Sequence, residues 1–563
     1  MDSHTKLHPK VKSAITSIKQ KTIEGWSLAI GLSGKDSFVT THCAIEALKQ
    51  AIDEGYKVSP MSIYTIDTSI DNFEIMDFML DVHQSIDDYA NSHQLPIQTE
   101  VLKPHLMTRP IVQYLGRGLL LRTAQNQHNG RQCTSVWKIK VLEDHLRGLE
   151  NSLGTSKVLS ISGVRDSESS IRAINIKKRG ESIDVVTKTD IGYKLAPIKD
   201  WSLSDVWSLI SFIEDGEIES FGEDVVTDLR KHYAAGNSGV CDLLAGSSAG
   251  QSKPCSARFG CTLCAIVPKD NSLINQIETN EEKYGYMRGV AELRNFMLHS
   301  LNDFNLSRNS VGKQIDKDGN VKLKYNDYSI EFRQSLLRMV LTLDAIEQER
   351  TDNPKFQLVD YSTLIAIQWN WAIEGGEGSF GSAIKIWHDV HTNGERHPIP
   401  CIEMTPAKKN LTARYVSISK LLESENPKGL EMTSEEKSKY QPHAIYSDEG
   451  VIHTMPYFTS DKTQVVEGMG WEYIECIYTH YESEGLTKDD SVCPTAIIKD
   501  LMQRGIVTVQ SSSLNRLNER VKRAQAINAI KARGGDIESY LLLNSSDTPI
   551  KHEIDESFQV ELF

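Results

Sequence analysis

The sequence contains no run of the roughly 18 apolar residues needed to cross a bilayer. Its first twenty residues, "MDSHTKLHPKVKSAITSIKQ", hold no apolar core of the kind a secretory leader requires. Together these absences predict a cytoplasmic protein with no membrane partner. Internal repeats and low-complexity tracts are also missing, which excludes solenoids and linker-like chains. Positive charge is in short supply. With 62 Lys and Arg against 76 Asp and Glu, the formal net charge is −14, the wrong sign for a chain that coats nucleic acid along its whole surface. A local basic groove remains compatible with that average. What is present suits folded domains: 39% hydrophobic and 25% charged residues over 563 positions predict two or three domains with real cores.

Up to about residue 210, strand-like and helix-like segments alternate. Candidate strands are 27–32, 58–67, 95–102, 157–164 and 183–188. Between the first two lies "FVTTHCAIEALKQAIDEG", apolar at helical spacing and stopped by Gly55; between the next two lies "NFEIMDFMLDVHQSIDDYANSH". This β-α-β-α-β order predicts an α/β fold with a parallel sheet, helices on both faces and a ligand at the strands' C-terminal ends. From about 266 to 400 helical segments dominate. The stretch 424–444 is polar and turn-rich, and 445–563 reads as mostly helical with a polar tail.

The stretch "SLAIGLSGKDSFVTTH" (27–42) places a strand, a small-residue turn and a helix in succession, a combination that cradles phosphate on helix-N-terminal amides. It is not a Walker A loop, because Ala29 stands where the first glycine belongs and Asp36 where a magnesium-binding hydroxyl belongs. It resembles instead the S-G-G-x-D-S loop of the PP-loop ATP pyrophosphatases, with one small residue missing or replaced. That resemblance implies a grip on ATP pyrophosphate by Ser33, Gly34 and Ser37, charge from Lys35, and an Asp36 that helps hold Mg²⁺ or orders the loop. On the residues alone, a Ser/Gly turn capping a helix is the competing explanation.

Three further segments follow in the order of the PAPS reductase branch of that superfamily. "RQCTSVWKIK" (131–140) resembles its R-x-C-T-x-x-x-K, "SGVRDSESSIRA" (162–173) its G-x-R-x-x-E-S-x-x-R, and "APIKDWSLSDVW" (196–207) its P-I-x-x-W-x-x-x-D-V-W. The resemblance implies a PP-loop fold with Ser33, Gly34, Lys35, Asp36, Ser37, Gly163, Arg165 and Arg172 at the nucleotide and Lys35, Asp36 and Arg165 in catalysis. Arg165, Arg172 and the Lys177-Lys178-Arg179 run form a basic cluster in an acidic chain, a candidate anion site or, for the last three, a solvated surface. Trp201 and Trp207 are expected in the core, Ser202 or Ser204 as a helix cap, and Glu168 as a partner of a neighbouring arginine.

Four of the nine cysteines, Cys241, Cys255, Cys261 and Cys264, are spaced C-x13-C-x5-C-x2-C. The terminal C-x2-C is ligand spacing for zinc or an iron–sulfur cluster, and spacing alone does not choose between them. The E-C-G-[IL]-H thiol segment of the PAPS and APS reductases is missing, as are adjacent cysteine pairs. "CSARFGCTLCAIVPKDNSL" is similar to an element of the DndC family, the PP-loop sulfurtransferases of bacterial DNA phosphorothioate modification, and of the related SspD proteins. This resemblance, which covers roughly residues 20–300, implies a [4Fe–4S] cluster on those four cysteines, with zinc as the alternative. The expected organisation is a PP-loop domain over 1–235, a four-cysteine element over 236–270, a helical domain over 271–423 and a mostly helical region over 424–563. His388, His391, His397 and Cys401 lie close in sequence but fit no common metal pattern; Cys43 is expected in the core, and Cys133 either carries sulfur or is buried beside the nucleotide.

The resemblance implies a mechanism. A DNA backbone phosphate attacks the α-phosphorus of ATP held with Mg²⁺ at Ser33–Ser37, while Lys35 and Arg165 offset developing charge. Sulfur from a cysteine desulfurase partner then displaces AMP, with other phosphorothioation subunits in attendance and the DNA presented by one of them. Two alternatives stand beside it: a sulfonucleotide reductase acting on PAPS or APS, and a nucleotide-binding metal scaffold without turnover.

Overall fold

A computed structural model of the protein describes residues 9–124, 132–237, 259–315, 320–375, 381–406, 413–430, 463–466, 468–485, 487, 496–533 and 552–553. The chain divides into two compact units. The first comprises Met1–Pro104, Cys133–Thr262 and Asp270–Met287; the second comprises His105–Gln132, Leu263–Lys269 and Arg288–Phe563.

The first unit is built on a six-stranded sheet in the order β3-β2-β1-β4-β6-β5. Its strands are β1 (Ser27–Gly31), β2 (Met61–Ile66), β3 (Ile97–Leu102), β4 (Val158–Ile161), β5 (Thr187–Thr189) and β6 (Gly192–Leu195). β1 lies between β2 and β4, parallel to both, with Ala29 opposite Ser62 on one side and Ser160 on the other. A strand so placed is covered on both faces, and Ser27–Ile30 are all buried. Leu28 and Ile30 enter the larger core, while Ala29 faces Tyr64, Leu146 and Val158 on the other side.

The helices of this unit are α1 (Pro9–Ile23), α2 (Lys35–Asp53), α3 (Phe73–Ser92), α4 (Lys140–Leu153), α5 (Ser170–Lys178), α6 (Leu203–Glu214) and α7 (Glu223–Ala235). α2 buries Phe38, Val39, Cys43, Ala44, Ala47 and Leu48 in the larger core, and α4 lays Leu146 on the opposite face. Burial pushes the Cys43 thiol up to about 12, so it is inert packing. α6 begins at Ser202, whose hydroxyl accepts the Asp205 N–H at 3.1 Å while the Asp205 carboxylate accepts the Ser202 N–H at 2.7 Å, a reciprocal cap. Trp201 and Trp207 beside it are fully buried.

Two features of the sheet differ from the sequence expectation. It is mixed rather than all parallel, because β5 runs antiparallel to β6. The strand beside β4 is β6, not the 183–188 segment: the chain passes 183–186, forms β5, turns, and returns as β6 parallel to β4. A short edge hairpin replaces a single buried strand, consistent with the polar side chains of "TKTDIGYK".

The second unit is not helical throughout. It contains a four-stranded antiparallel sheet, β12-β9-β8-β7, made of β7 (Arg308–Ile315), β8 (Asn320–Tyr328), β9 (Ala413–Ser417) and β12 (His552–Glu553), and a two-stranded sheet of β10 (Thr463–Val465) and β11 (Val507–Val509). Its helices α8 (Ile330–Arg350), α9 (Tyr361–Glu374) and α10 (Ser382–His391) bury an apolar core. α9 is buried on nearly every side, starts at an Asp360 side chain accepting the Thr363 N–H at 2.7 Å, and stops at Gly375, whose φ of 61° suits glycine. The buried Asp344 carboxyl accepts the Leu358 and Val359 N–H groups at 2.7 and 2.9 Å, and burial raises it to about 8. Among the described residues no helix is long and apolar enough to cross a membrane.

Candidate functional site

In an open α/β sheet, ligands gather at the C-terminal ends of the strands where strand order reverses. Here that point lies between β1 and β4, with β2 on the far side of β1. The two chain segments leaving the sheet there are Leu32–Gly34, which leads into α2, and Ser162–Ser169, which leads into α5. The sequence motifs carrying Asp36 and Arg165 lie on and just after these two segments, so the fold brings together residues 129 positions apart.

They are locked to each other. Arg165 donates from Nε to Asp36 Oδ1 at 2.7 Å and from Nη1 to Ser167 Oγ at 2.8 Å; Ser167 in turn donates to the Trp201 carbonyl at 2.8 Å. Arg165 is buried, so its charge is compensated by Asp36 at a point where neither could stand alone. Gly163 lies against the first turn of α2: a Cβ there would sit 3.0 Å from the Asp36 carbonyl carbon and oxygen and from the Ser37 nitrogen. The Asp166 N–H donates to the Lys199 carbonyl at 2.9 Å, tying the same loop to the segment before α6.

The loop itself is folded around Ser37. The amides of Ser33 and Gly34 both donate to Ser37 Oγ, at 2.8 and 3.0 Å, and that hydroxyl donates back to the Gly34 carbonyl at 2.8 Å. The Lys35 amide donates to the Tyr233 hydroxyl at 3.1 Å. The Lys35 ammonium lies 4.7 Å over the Tyr233 ring and 3.7 Å from Asp36 Oδ2. Asp36 orders the loop through Arg165 and Lys35. Tyr233, from α7, is the participant that sequence reasoning missed; it is 198 residues from Lys35, and no local pattern marks it.

The outer residues are placed differently. Arg172 pairs with Glu168 at the start of α5, and its side chain is about half exposed. Lys177 and Lys178 are exposed, and Arg179 donates to Glu181 at 2.5 Å. These basic residues are solvated or paired on the surface.

The cysteines require a correction. Cys241 and Cys255 lie outside the described residues. Cys261 is pinned to the turn after β2: it bridges Asp71, Thr262 N–H donates to the Ile70 carbonyl at 2.6 Å, and the Cys261 thiol points to Asp71 Oδ1 at 3.7 Å. Lys138 approaches the same carboxylate oxygen at 3.4 Å; burial pulls its ammonium down, but Asp71 and the sulfurs of Cys261 and Cys133 outweigh this and hold it above its ordinary value. The Cys264 carbonyl accepts Arg294 Nε at 2.9 Å in the second unit. Among the described residues, no group of three or more His, Cys, Asp or Glu side chains is placed to hold a metal ion. That finding overturns the expected [4Fe–4S] cluster on Cys241, Cys255, Cys261 and Cys264 and the zinc alternative; among the described residues no distinct cysteine element is seen, and Asp36, expected to hold Mg²⁺ or to order the loop, belongs to no such group and is held by Arg165. The spacing suggested ligands; the fold turns Cys261 onto a carboxylate and Asp36 onto an arginine. His388 and His391 are likewise no metal pair. His388 Nε2 meets the Ile474 carbonyl at 2.9 Å, and His391 stacks on Trp387 at 4.8 Å.

Comparison with known proteins agrees with the first unit. The family model of the phosphoadenosine phosphosulfate reductase domain matches residues 27–214, so that region is a PAPS-reductase-like, nucleotide-binding domain. No curated protein matches the chain. Among solved structures, the chain is similar to the FMN adenylyltransferase of Candida glabrata in complex with FMN and an ATP analogue, at 16% identity and a TM-score of 0.21, over 36% of this chain and 55% of that one. It is also similar to the U34-tRNA thiolase NcsA of Methanococcus maripaludis with its [4Fe-4S] cluster, at 12% identity and a TM-score of 0.22, over 51% of this chain and 80% of that one. The chain thus spans about half of the adenylyltransferase, and both TM-scores are too low to stand for a shared fold.

Proposed function

We propose that this chain is an adenine-nucleotide enzyme of sulfur chemistry whose first unit holds the nucleotide's phosphates over Ser33–Ser37. The observation that carries this reading is the lock at the switch point: Arg165 on Asp36 at 2.7 Å, and Gly163 against the backbone of Asp36 and Ser37. It presents the N-terminal turn of α2, an anion-favouring end of a 19-residue helix, to the mouth of the sheet. Lys35 supplies charge, Ser33, Gly34 and Ser37 supply donors, Gly163 permits close approach, and Arg165 holds the loop. Arg172, paired with Glu168, is the proposed contact of a more distal phosphate.

The domain's family favours a sulfonucleotide such as PAPS as substrate, with sulfite released by two electrons from a dithiol. The finer reading is ATP cleavage between the α and β phosphates for DNA phosphorothioation, with a cysteine desulfurase, further subunits and DNA as partners. It rests on the Arg258-Phe259-Gly260 element and on the missing E-C-G-[IL]-H thiol.

Products separate the two. Purified protein is incubated with PAPS and a dithiol, or with ATP and DNA, and assayed for sulfite and for pyrophosphate, with Lys35→Ala alongside. One product formed by the wild type and lost in a folded Lys35→Ala variant is expected. A product formed equally by both, or no binding of either nucleotide, overturns the loop assignment.

A further inference from the structure

We infer that the Tyr233 hydroxyl stands over the loop where a nucleotide phosphate oxygen binds, and that phosphate binding displaces it. The inference rests on the nucleotide reading of the Ser33–Ser37 loop and adds to it a residue outside every motif.

Three consecutive amides at the start of α2, those of Ser33, Gly34 and Lys35, each donate to a side-chain hydroxyl. Such amides, with the helix dipole behind them, bind an anion in preference to a neutral acceptor, because a charged partner roughly doubles the strength of each bond. Two of the three are held by Ser37, which belongs to α2 and travels with the loop. The third is held by Tyr233, which arrives from α7 and is not part of the loop.

Tyr233 engages both groups of Lys35 that a phosphate would engage. Its hydroxyl takes the amide at 3.1 Å, and its ring lies 4.7 Å from the ammonium. The hydroxyl also rests on the loop itself: a Cβ on Gly34 would come within 2.9 Å of it. The ring is kept in place by edge-on packing against Trp207 and Phe259, with centroids 5.8 and 5.3 Å apart. The glycine at position 34 and the tyrosine at 233 therefore form a matched pair, and the space the hydroxyl fills is the space above the loop amides.

The test is Tyr233→Phe, which keeps the ring and removes only the hydroxyl. Titration of the wild type and the variant with ATP and with PAPS, followed calorimetrically, gives the affinities; thermal melting without nucleotide gives stability. Losing one hydrogen bond from the empty state alone is expected to tighten binding about threefold to tenfold while lowering the melting temperature. A tyrosine with a purely structural role would weaken both together, and unchanged or weaker binding by a folded variant overturns the inference. A second arm uses Gly34→Ala, whose Cβ meets the hydroxyl. Tyr233→Phe is expected to restore the melting temperature of the double variant but not its nucleotide binding, because the same Cβ would crowd a phosphate oxygen at the hydroxyl's position, and restored binding overturns the inference. Wild-type protein that binds neither nucleotide sinks the underlying reading and the inference with it. Binding by the wild type leaves that reading standing and lets Tyr233→Phe decide the inference alone.

Discussion

Gly163→Ala tests the lock between the two loops at one methyl group's resolution. The added Cβ would stand 3.0 Å from three backbone atoms of α2's first turn, where ordinary contact begins at 3.4 Å and extends to 4 Å. The β4 loop and α2 must therefore part by a few tenths of an ångström. Neither side yields easily: α2 is anchored by Phe38, Val39 and Cys43 in the core, and the Ser162 N–H is bonded to the Leu195 carbonyl at 2.9 Å. The same separation stretches the 2.7 Å bond from Arg165 to Asp36 toward or past the limit of a good hydrogen bond. Overpacking of this kind costs about 1–3 kcal/mol of stability. Displacing the loop amides from the phosphates is expected to lower nucleotide affinity by about tenfold or more, or ~1.4 kcal/mol.

The control is Gly148→Ala. Gly148 lies on the exposed side of α4 with nothing within 4 Å of its ideal Cβ, so the change is expected to stabilise the helix by about 0.5–1 kcal/mol without touching binding. Denaturant melts and calorimetric titration with ATP and PAPS read both quantities. A Gly163→Ala protein that binds nucleotide as tightly as the wild type refutes the claim that this contact sets the loop.

Arg165→Lys keeps the charge but loses the two-pronged geometry that reaches Asp36 and Ser167. Affinity is expected to fall nearly as far as in Arg165→Met, and restoration by lysine would show that charge alone matters. Burial lowers His42 to about 4 from its ordinary 6.5. Between those values the unfolded chain binds a proton that the folded chain refuses, so stability rises with pH through the window and is lost as pH falls toward 4. The window is worth roughly 3 kcal/mol; His42→Leu is expected to flatten the acid limb of a stability–pH curve by that order, and an unchanged limb refutes it.

The core of the first unit was legible because a parallel sheet buries both faces of its strands. "SLAIG" and "MSIYTI" read as largely apolar runs, and a helix of matching period lies between them. Ser202 and Trp201 were legible for the same local reasons. The edge hairpin was not: β5 and β6 are short and polar, and the pairing that decides which strand meets β4 is made across the sheet. β7 and β8 were missed although Val321, Leu323 and Tyr325 alternate and follow Asp318-Gly319, a hairpin signal overlooked within a region read as helical. At the site, motifs located Lys35 and Arg165 but not what they touch. The cysteine spacing misled because ligand spacing states only which residues are close in sequence, and Cys261 finds its neighbour, Asp71, 190 positions away.

The chain's net charge and the proposed phosphate loop carry opposite signs, and the distance over which each acts reconciles them. At about 0.1 M salt, charges farther apart than roughly 10 Å are largely screened. A nucleotide seated at α2 therefore responds to Lys35, the helix end and the adjoining amides, and hardly to the acidic surface beyond. A long polyanion lies along that surface and meets the repulsion of every exposed carboxylate it passes. Since Arg165 is neutralised by Asp36, the attraction at the loop is short in range as well as small in extent. Such a surface admits a compact anion and discourages an extended one, so any polymeric substrate must be guided to the loop by contacts other than net charge. That places the burden of DNA handling, if phosphorothioation is the reaction, on a partner or on a basic groove outside the Lys35 loop.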